Sequence, residues 1–275
     1  MRKLSILGIM LIAAGVLLPA CGHRATDDAV QSIVSSDSLP TEVKSLVKAV
    51  ATDNKKDFAS LVLYPLERPY PLKNIDDSAA MVAYYPTLVD DSLKSVVTMS
   101  PPESWDKFGW RGWTLDNGQY LWIDESGVYG VNYVSAAEQA TLEKLRKEDM
   151  ESLPGNLRGD WVPAGCYKAV DSEKVMRIDM LTEKDGQTIY RLAVYSAPAT
   201  MRGEPMALFT GFEELQGSVG TRIYNFTGPS GVSATFMADM PDDSPLTMDF
   251  TSASGTETNV EVQPAYWLDL LPPKK

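Results

Sequence analysis

From Trp161 onward the chain shows no helical period. Apolar and polar residues instead alternate in eight short runs: Cys166 to Val170, Val175 to Leu181, Thr188 to Tyr195, Ala207 to Phe212, Thr221 to Phe226, Ser233 to Ala238, Leu246 to Thr251 and Val260 to Val262. Turn residues such as Asp185-Gly186, Pro229-Ser230-Gly231 and Ser254-Gly255 separate them. Alternation of this kind gives each strand one inward face. About eight such strands at regular spacing predict an antiparallel barrel or sandwich. An all-β domain is therefore expected over residues 161–271, with Tyr266-Trp267-Leu268 folding back onto it.

Upstream the period is different. Val43, Leu46, Val47 and Val50 fall at i, i+3, i+4 and i+7, one face of a helix entered through Pro40. A short helix with Phe58, Leu61 and Val62 follows the break at Asp53-Asn54. Pro65, Pro69 and Pro71 confine Tyr64 to Leu72 to an edge strand or extended connector. Asp76-Asp77 caps a helix with Ala80, Met81 and Tyr84 inward, and Pro86 opens another carrying Leu88, Val89, Leu93, Val96 and Val97.

The pattern then switches to a three-stranded meander, Gly109 to Leu115, Gln119 to Asp124 and Val128 to Val134, turned by Asp116-Asn117-Gly118 and Glu125-Ser126-Gly127. Ser135-Ala136-Ala137-Glu138 is a capping box that opens a helix running to about Ser152. Residues 38–153 thus read as an α+β domain, helices over a curved antiparallel meander, joined to the all-β domain through Pro154-Gly155 and Gly159.

The first twenty residues form an export signal. Arg2 and Lys3 precede the apolar run Leu4 to Leu18, which is too short for a comfortable membrane span. Leu18-Pro19-Ala20-Cys21 resembles the bacterial lipobox, which implies acylation of Cys21 and cleavage before it. Residues 21–37 are small and polar and read as a tether. The expected location is the bacterial cell envelope, lipid-anchored, at the outer membrane, with the membrane as a partner through the acyl chains.

Composition then excludes several functions. Loss of Arg2 and Lys3 takes the formal charge from −12 to −14, which disfavours nucleic acid and anionic lipid surfaces. The single histidine, His23, lies outside the expected folded body, so neither a serine–histidine–acid triad nor a histidine-rich zinc site is available there. With Cys21 acylated, Cys166 has no disulfide partner and reads as a buried, inert thiol. No phosphate-binding loop or thiol-redox pair occurs, and no cofactor is expected.

The order of elements in residues 38–134 resembles the cystatin-like cone of the nuclear transport factor two superfamily, in which helices lie across a curved sheet and enclose a pocket. The histidine–aspartate pair common in that superfamily is missing. The stretch Phe108-Gly109-Trp110-Arg111-Gly112-Trp113, with Asp116-Asn117-Gly118 and Leu121-Trp122, is similar to uncharacterised lipoproteins of Bacteroidetes type. Superfamily members range from isomerases to non-catalytic modules, so the resemblance carries no activity.

The meander concentrates the aromatic residues. Leu121 and Ile123 point to one face of the middle strand and Tyr120 and Trp122 to the other, while Trp110 and Trp113 are expected on opposite faces of the first. A sheet apolar on both sides needs two covers. The second is the all-β domain, a partner protein or a ligand, and core or interdomain filling is the simplest role for these aromatics. Trp110, Arg111, Trp113, Tyr120, Trp122 and Tyr129 are the candidate binding residues for a protein or glycan partner.

No catalytic or metal-binding residue is assigned. The acid pairs Asp76-Asp77, Asp90-Asp91 and Asp242-Asp243 leave a carboxylate-dependent glycan enzyme as an alternative; calcium binding at Asp239, Asp242 and Asp243 is conceivable, but no twelve-residue calcium loop is present. The expected function is a non-catalytic binding or scaffolding module. A surface-displayed inhibitor or adhesin is the other alternative.

Overall fold

The computed structural model describes residues 22–183, 186–216, 221–228, 233–238, 246–252 and 255–273. Helices come first: α1 (Gly22–Ser35), α2 (Thr41–Ala51), α3 (Lys55–Ser60), α4 (Ser78–Leu88) and α5 (Asp91–Met99). A four-stranded antiparallel sheet follows, β1 (Trp105–Lys107), β2 (Trp113–Leu115), β3 (Leu121–Asp124) and β4 (Gly127–Val131), in that spatial order. The long helix α6 (Ala136–Glu151) leads to β5 (Val162–Ala169), β6 (Val175–Thr182), β7 (Thr188–Tyr195), β8 (Ala207–Gln216), β9 (Thr221–Thr227), β10 (Ser233–Ala238), β11 (Leu246–Ser252) and β12 (Gly255–Pro264), and the chain ends on α7 (Trp267–Leu270).

The four predicted apolar positions of α2 are all buried, and they meet Leu115, Leu121, Ile123 and Val128 from the sheet in one core. Three expectations need correction. The segment read as a tether is helix α1 through most of its length, because Val30, Ile33 and Val34 repeat at i, i+3 and i+4; Ile33 is fully buried and Val30 packs on the same core. Pro86 sits inside α4, and the break falls at Val89, where the Asp90 carboxylate accepts the Leu93 amide at 2.9 Å and starts α5. On α4 the inward residues are Met81, Tyr85 and Leu88, whereas Ala80 is exposed and Tyr84 only half-buried.

The strands β5 to β12 close into an eight-stranded antiparallel barrel, sealed where Val262 of β12 pairs with Ala169 of β5. A barrel of this strand number is just wide enough for side chains to fill. Met176, Ile178, Leu192, Val194, Phe209, Phe226, Phe236, Met248 and Phe250 fill this one. At Gly211 of β8 a Cβ would fall 1.8 Å from the Asn225 carbonyl oxygen of β9, so only glycine allows the two strands to approach there.

The outer wall of β6 and β7 is also buried, beneath the end of α6 and the C-terminal tail. Leu153, Leu157, Cys166, Val175, Tyr195 and Trp267 form a separate apolar cluster there. Inside it lies a chain of four buried charges. Arg177 of β6 pairs with Asp149 of α6 and, at 2.6 Å, with Asp179; Asp179 also accepts from Arg191 at 2.6 Å. The guanidinium of Arg177 lies 4.8 Å from the Trp267 ring centre, and that of Arg191 lies 4.6 Å from Trp161. Trp267 donates its indole hydrogen to Ser152 Oγ at 2.7 Å, and Tyr70 stacks on Tyr266.

Burial pushes the Asp149 carboxyl up to about 6, against the pull of Arg177. A carboxyl raised in the folded state holds a proton that the unfolded chain has released, so its contribution falls as pH rises from the unfolded value to about 6. Urea unfolding of the wild type and Asp149→Asn at about pH 4 and about pH 7 checks this. The stability of the wild type relative to the variant should decline between the two, and a gap independent of pH would contradict it.

A second buried pair closes the helical part. Arg68, in the proline-rich connector, reaches both Glu138 oxygens at 2.8 Å and donates to the carbonyls of Val131 and Tyr133. Glu138 also accepts from Tyr84 Oη at 3.0 Å and from the Ser135 amide, completing the predicted capping box.

Candidate functional site

The face of the sheet turned toward the helices is sealed, and the opposite face is open. At the turn between β2 and β3, Asp116, Asn117 and Gly118 all have left-handed φ, at 57°, 53° and 85°. A Cβ on Gly118 would come within 2.7 Å of the Trp122 indole, so glycine lets that ring lie along the turn. Trp122 is opposite Gly130 on β4 and Thr114 on β2. Phe108 meets Trp122 edge-on with centroids 5.4 Å apart.

The first expected strand begins later than predicted. Gly109 at φ 53° and Gly112 at φ 84° take the backbone off the strand path, and Gly109–Arg111 forms a single 3-10 turn between β1 and β2. Trp110 is therefore not a strand residue. It stands at the tip of this turn, 82 % exposed. The Arg111 guanidinium lies 5.5 Å from its ring centre and has no acid within ion-pair reach among the described residues. Tyr129 Oη donates to the Arg111 carbonyl at 2.8 Å and holds the turn over the sheet.

Trp110, Arg111, Trp122, Asp124 and Tyr129 together line a groove of about 400 Å³. One Asp124 oxygen accepts the amides of Ser126 and Gly127 in its own turn. Burial raises the Tyr129 hydroxyl above its ordinary range, with Asp124 adding to the effect and Arg111 opposing it. A second, more polar hollow of about 620 Å³ lies beyond Trp110, where Lys107 and Trp113 face Glu42, Asp124 and Glu125. No described barrel residue lines either hollow.

Four of the six candidate aromatic-site residues thus converge on one groove. The other two do not. Trp113 pairs with Ile123 and packs on the helical core, and Tyr120 packs there too, stacked on Tyr133 at 6.0 Å. Sequence reasoning missed Asp124 and Phe108, which the turn Asp124-Glu125-Ser126-Gly127 and the run Phe108 to Trp113 could have signalled. Cys21 and the calcium candidates Asp239, Asp242 and Asp243 lie outside the described residues.

The remaining acid pairs have structural work. Asp77 accepts the Ala80 amide at 2.8 Å and caps α4; Asp90 caps α5 and accepts from Tyr133 Oη. Cys166 is buried, and burial pushes its thiol well above the ordinary range. Among the described residues no group of histidine, cysteine and carboxylate side chains is placed to hold a metal ion, and no helix is long and apolar enough to cross a membrane. No protein-family model matches the chain, and no curated protein or solved structure is significantly similar to it.

Proposed function

We propose that this chain is a bacterial envelope lipoprotein, anchored through Cys21, that acts as a non-catalytic binding module and takes a neutral glycan in the Trp110–Trp122 groove. One observation carries the reading: a tryptophan is 82 % exposed beside an arginine that has no acid partner among the described residues. An exposed indole beside a guanidinium, on a turn held by a hydrogen bond, combines two residue types enriched at interface hot spots. The apolar C–H face of a pyranose can stack on indole and phenol rings, while its hydroxyls need both donors and acceptors. Arg111 supplies donors, Asp124 an acceptor and Tyr129 a half-exposed ring. The net acidity of the chain favours an uncharged ligand.

The same proposal takes the helices and β1–β4 as a cone of the nuclear transport factor two type, followed by the barrel as a second domain. Support for the cone is the helical layer on one face of the sheet, although the space between the layers is filled with side chains. Anchoring is tested by mass spectrometry of the mature N-terminus, where a diacylglyceryl-modified Cys21 is expected.

Ligand binding is tested by titrating neutral oligosaccharides into the wild type and Trp110→Ala. The variant should fold normally and bind about tenfold more weakly or worse. Equal affinity would remove the groove as the site. Pull-down of a protein that Trp110→Ala releases, with no oligosaccharide bound, would favour a protein partner. The carboxylate-dependent enzyme draws its support from Glu42, Asp124 and Glu125 around the second hollow. It requires release of hydrolysis products that Glu42→Gln or Asp124→Asn abolishes.

A further inference from the structure

We propose that the groove between α6 and the entry to the barrel binds a small amphipathic anion, an oxyanion head on an apolar body. This groove, of about 400 Å³, is separate from the aromatic groove on the sheet. Its floor is apolar: Met150 from α6, then Trp161 and Pro163 where β5 begins. Arg191 stacks on Trp161 and fixes the indole in place.

The rim carries Arg146, Lys147 and Arg158. Arg146 Nε is buried and has no hydrogen-bond partner, and no acid lies within ion-pair distance of that guanidinium among the described residues. Burial pushes its pKa down, and only the more distant Glu143 opposes this. With no protein carboxylate against it, this guanidinium keeps its positive charge for an anion in the groove that it lines. Arg158 is fixed by donating Nε to the Leu153 carbonyl and Nη2 to the Glu151 carbonyl, each at 2.8 Å. Among the described residues Lys147 has only a 3.9 Å solvent-exposed contact with Glu151. Among the described residues three cations therefore meet one lining carboxylate, in a chain whose formal charge is −12.

Those features select the ligand class. A guanidinium edge recognises carboxylate or phosphate through paired N–H donors. The apolar floor favours a head attached to a hydrocarbon body over a bare inorganic ion. The acidity of the remaining surface disfavours a polyanion, so a single anionic head fits better than nucleic acid.

The experiment is calorimetric titration of the mature protein below micelle concentration with four probes: dodecanoate, dodecyl phosphate, dodecyltrimethylammonium and the sugar-free neutral octaethylene glycol dodecyl ether. Both anions should bind about tenfold or more tightly than the cationic and neutral probes, and the tighter anion identifies the preferred head. Arg146→Gln should erase about tenfold of the anion preference while leaving the weak binding of the neutral probe, and Arg146→Lys should keep part of it. Lys147→Gln, at an exposed position, should reduce the preference by a smaller factor. Trp110→Ala should leave all four titrations unchanged, which separates this site from the glycan groove. Equal affinity for anionic and cationic probes, no binding at all, or a preference intact in a folded Arg146→Gln would overturn the proposal.

Discussion

Arg177→Met is expected to lower stability at neutral pH by about 3–5 kcal/mol, the usual cost of stranding a buried charge by removing its partner. Arg177 is 1 % exposed and stands between Asp149 and Asp179, both fully buried. Asp179 keeps Arg191 in the variant, but among the described residues Asp149 keeps only the 3.4 Å contact with Tyr70 Oη. At this chain length the loss corresponds to a fall of about 6–20 °C in Tm.

The pH dependence gives the effect a signature. The Asp149 carboxyl is already held up to about 6 with Arg177 present, so without it the group takes up a proton at still higher pH. The deficit should therefore shrink as pH falls from about 7 to about 5, and Arg177→Met combined with Asp149→Asn should recover more than half of it at pH 7. Urea unfolding with both variants checks this. A loss below about 1 kcal/mol at neutral pH would mean that the network contributes little to holding α6 against the barrel.

Arg68→Met should cost a similar amount, about 3–5 kcal/mol, for a different reason. Glu138 would keep the Ser135 amide and Tyr84 Oη but lose its cation. The carbonyls of Val131 and Tyr133 would each lose a donor in a site closed to water. Adding Glu138→Gln removes the stranded charge and keeps an acceptor for Ser135, so the double variant should unfold at a higher temperature than Arg68→Met alone. A double variant no better than the single would place the cost in the two carbonyls.

These two networks mark the boundary of what the sequence discloses. The eight strands after Trp161 were legible because barrel interiors enforce a period of two, and the observed strands overlap all eight expected runs. Closure into a barrel rather than a sandwich was not, since it depends on β12 finding β5 across the whole domain. The run Val175-Met176-Arg177-Ile178-Asp179 reads as a strand with a solvated polar face. That face is buried because α6 and the tail cover it, and no local pattern reports a cover supplied from elsewhere in the chain.

The aromatic site was legible in part. Composition singled out the run from Phe108 to Trp113 and the aromatics that follow it. Which rings meet in the groove was decided by two glycines. Positive φ at Gly109 and Gly112 takes Trp110 out of the strand and onto a turn, and Trp113 then falls on the core side of the sheet. Asp124 joins the groove because it ends β3 next to that turn.

Helix α1 changes what the proposed lipid on Cys21 can do. An unstructured leader would work as a leash and let the body sweep a volume set by the square root of its length. A helix docked through Ile33 takes most of that leader onto the body instead. Its 14 residues span roughly 21 Å at the helical rise, and the segment after it runs into Pro40, beside the Trp110 turn. In the lipid-anchored form proposed above, the acylated residue comes directly before a helix that packs on the body, so far less free chain separates bilayer and groove than a leash would give.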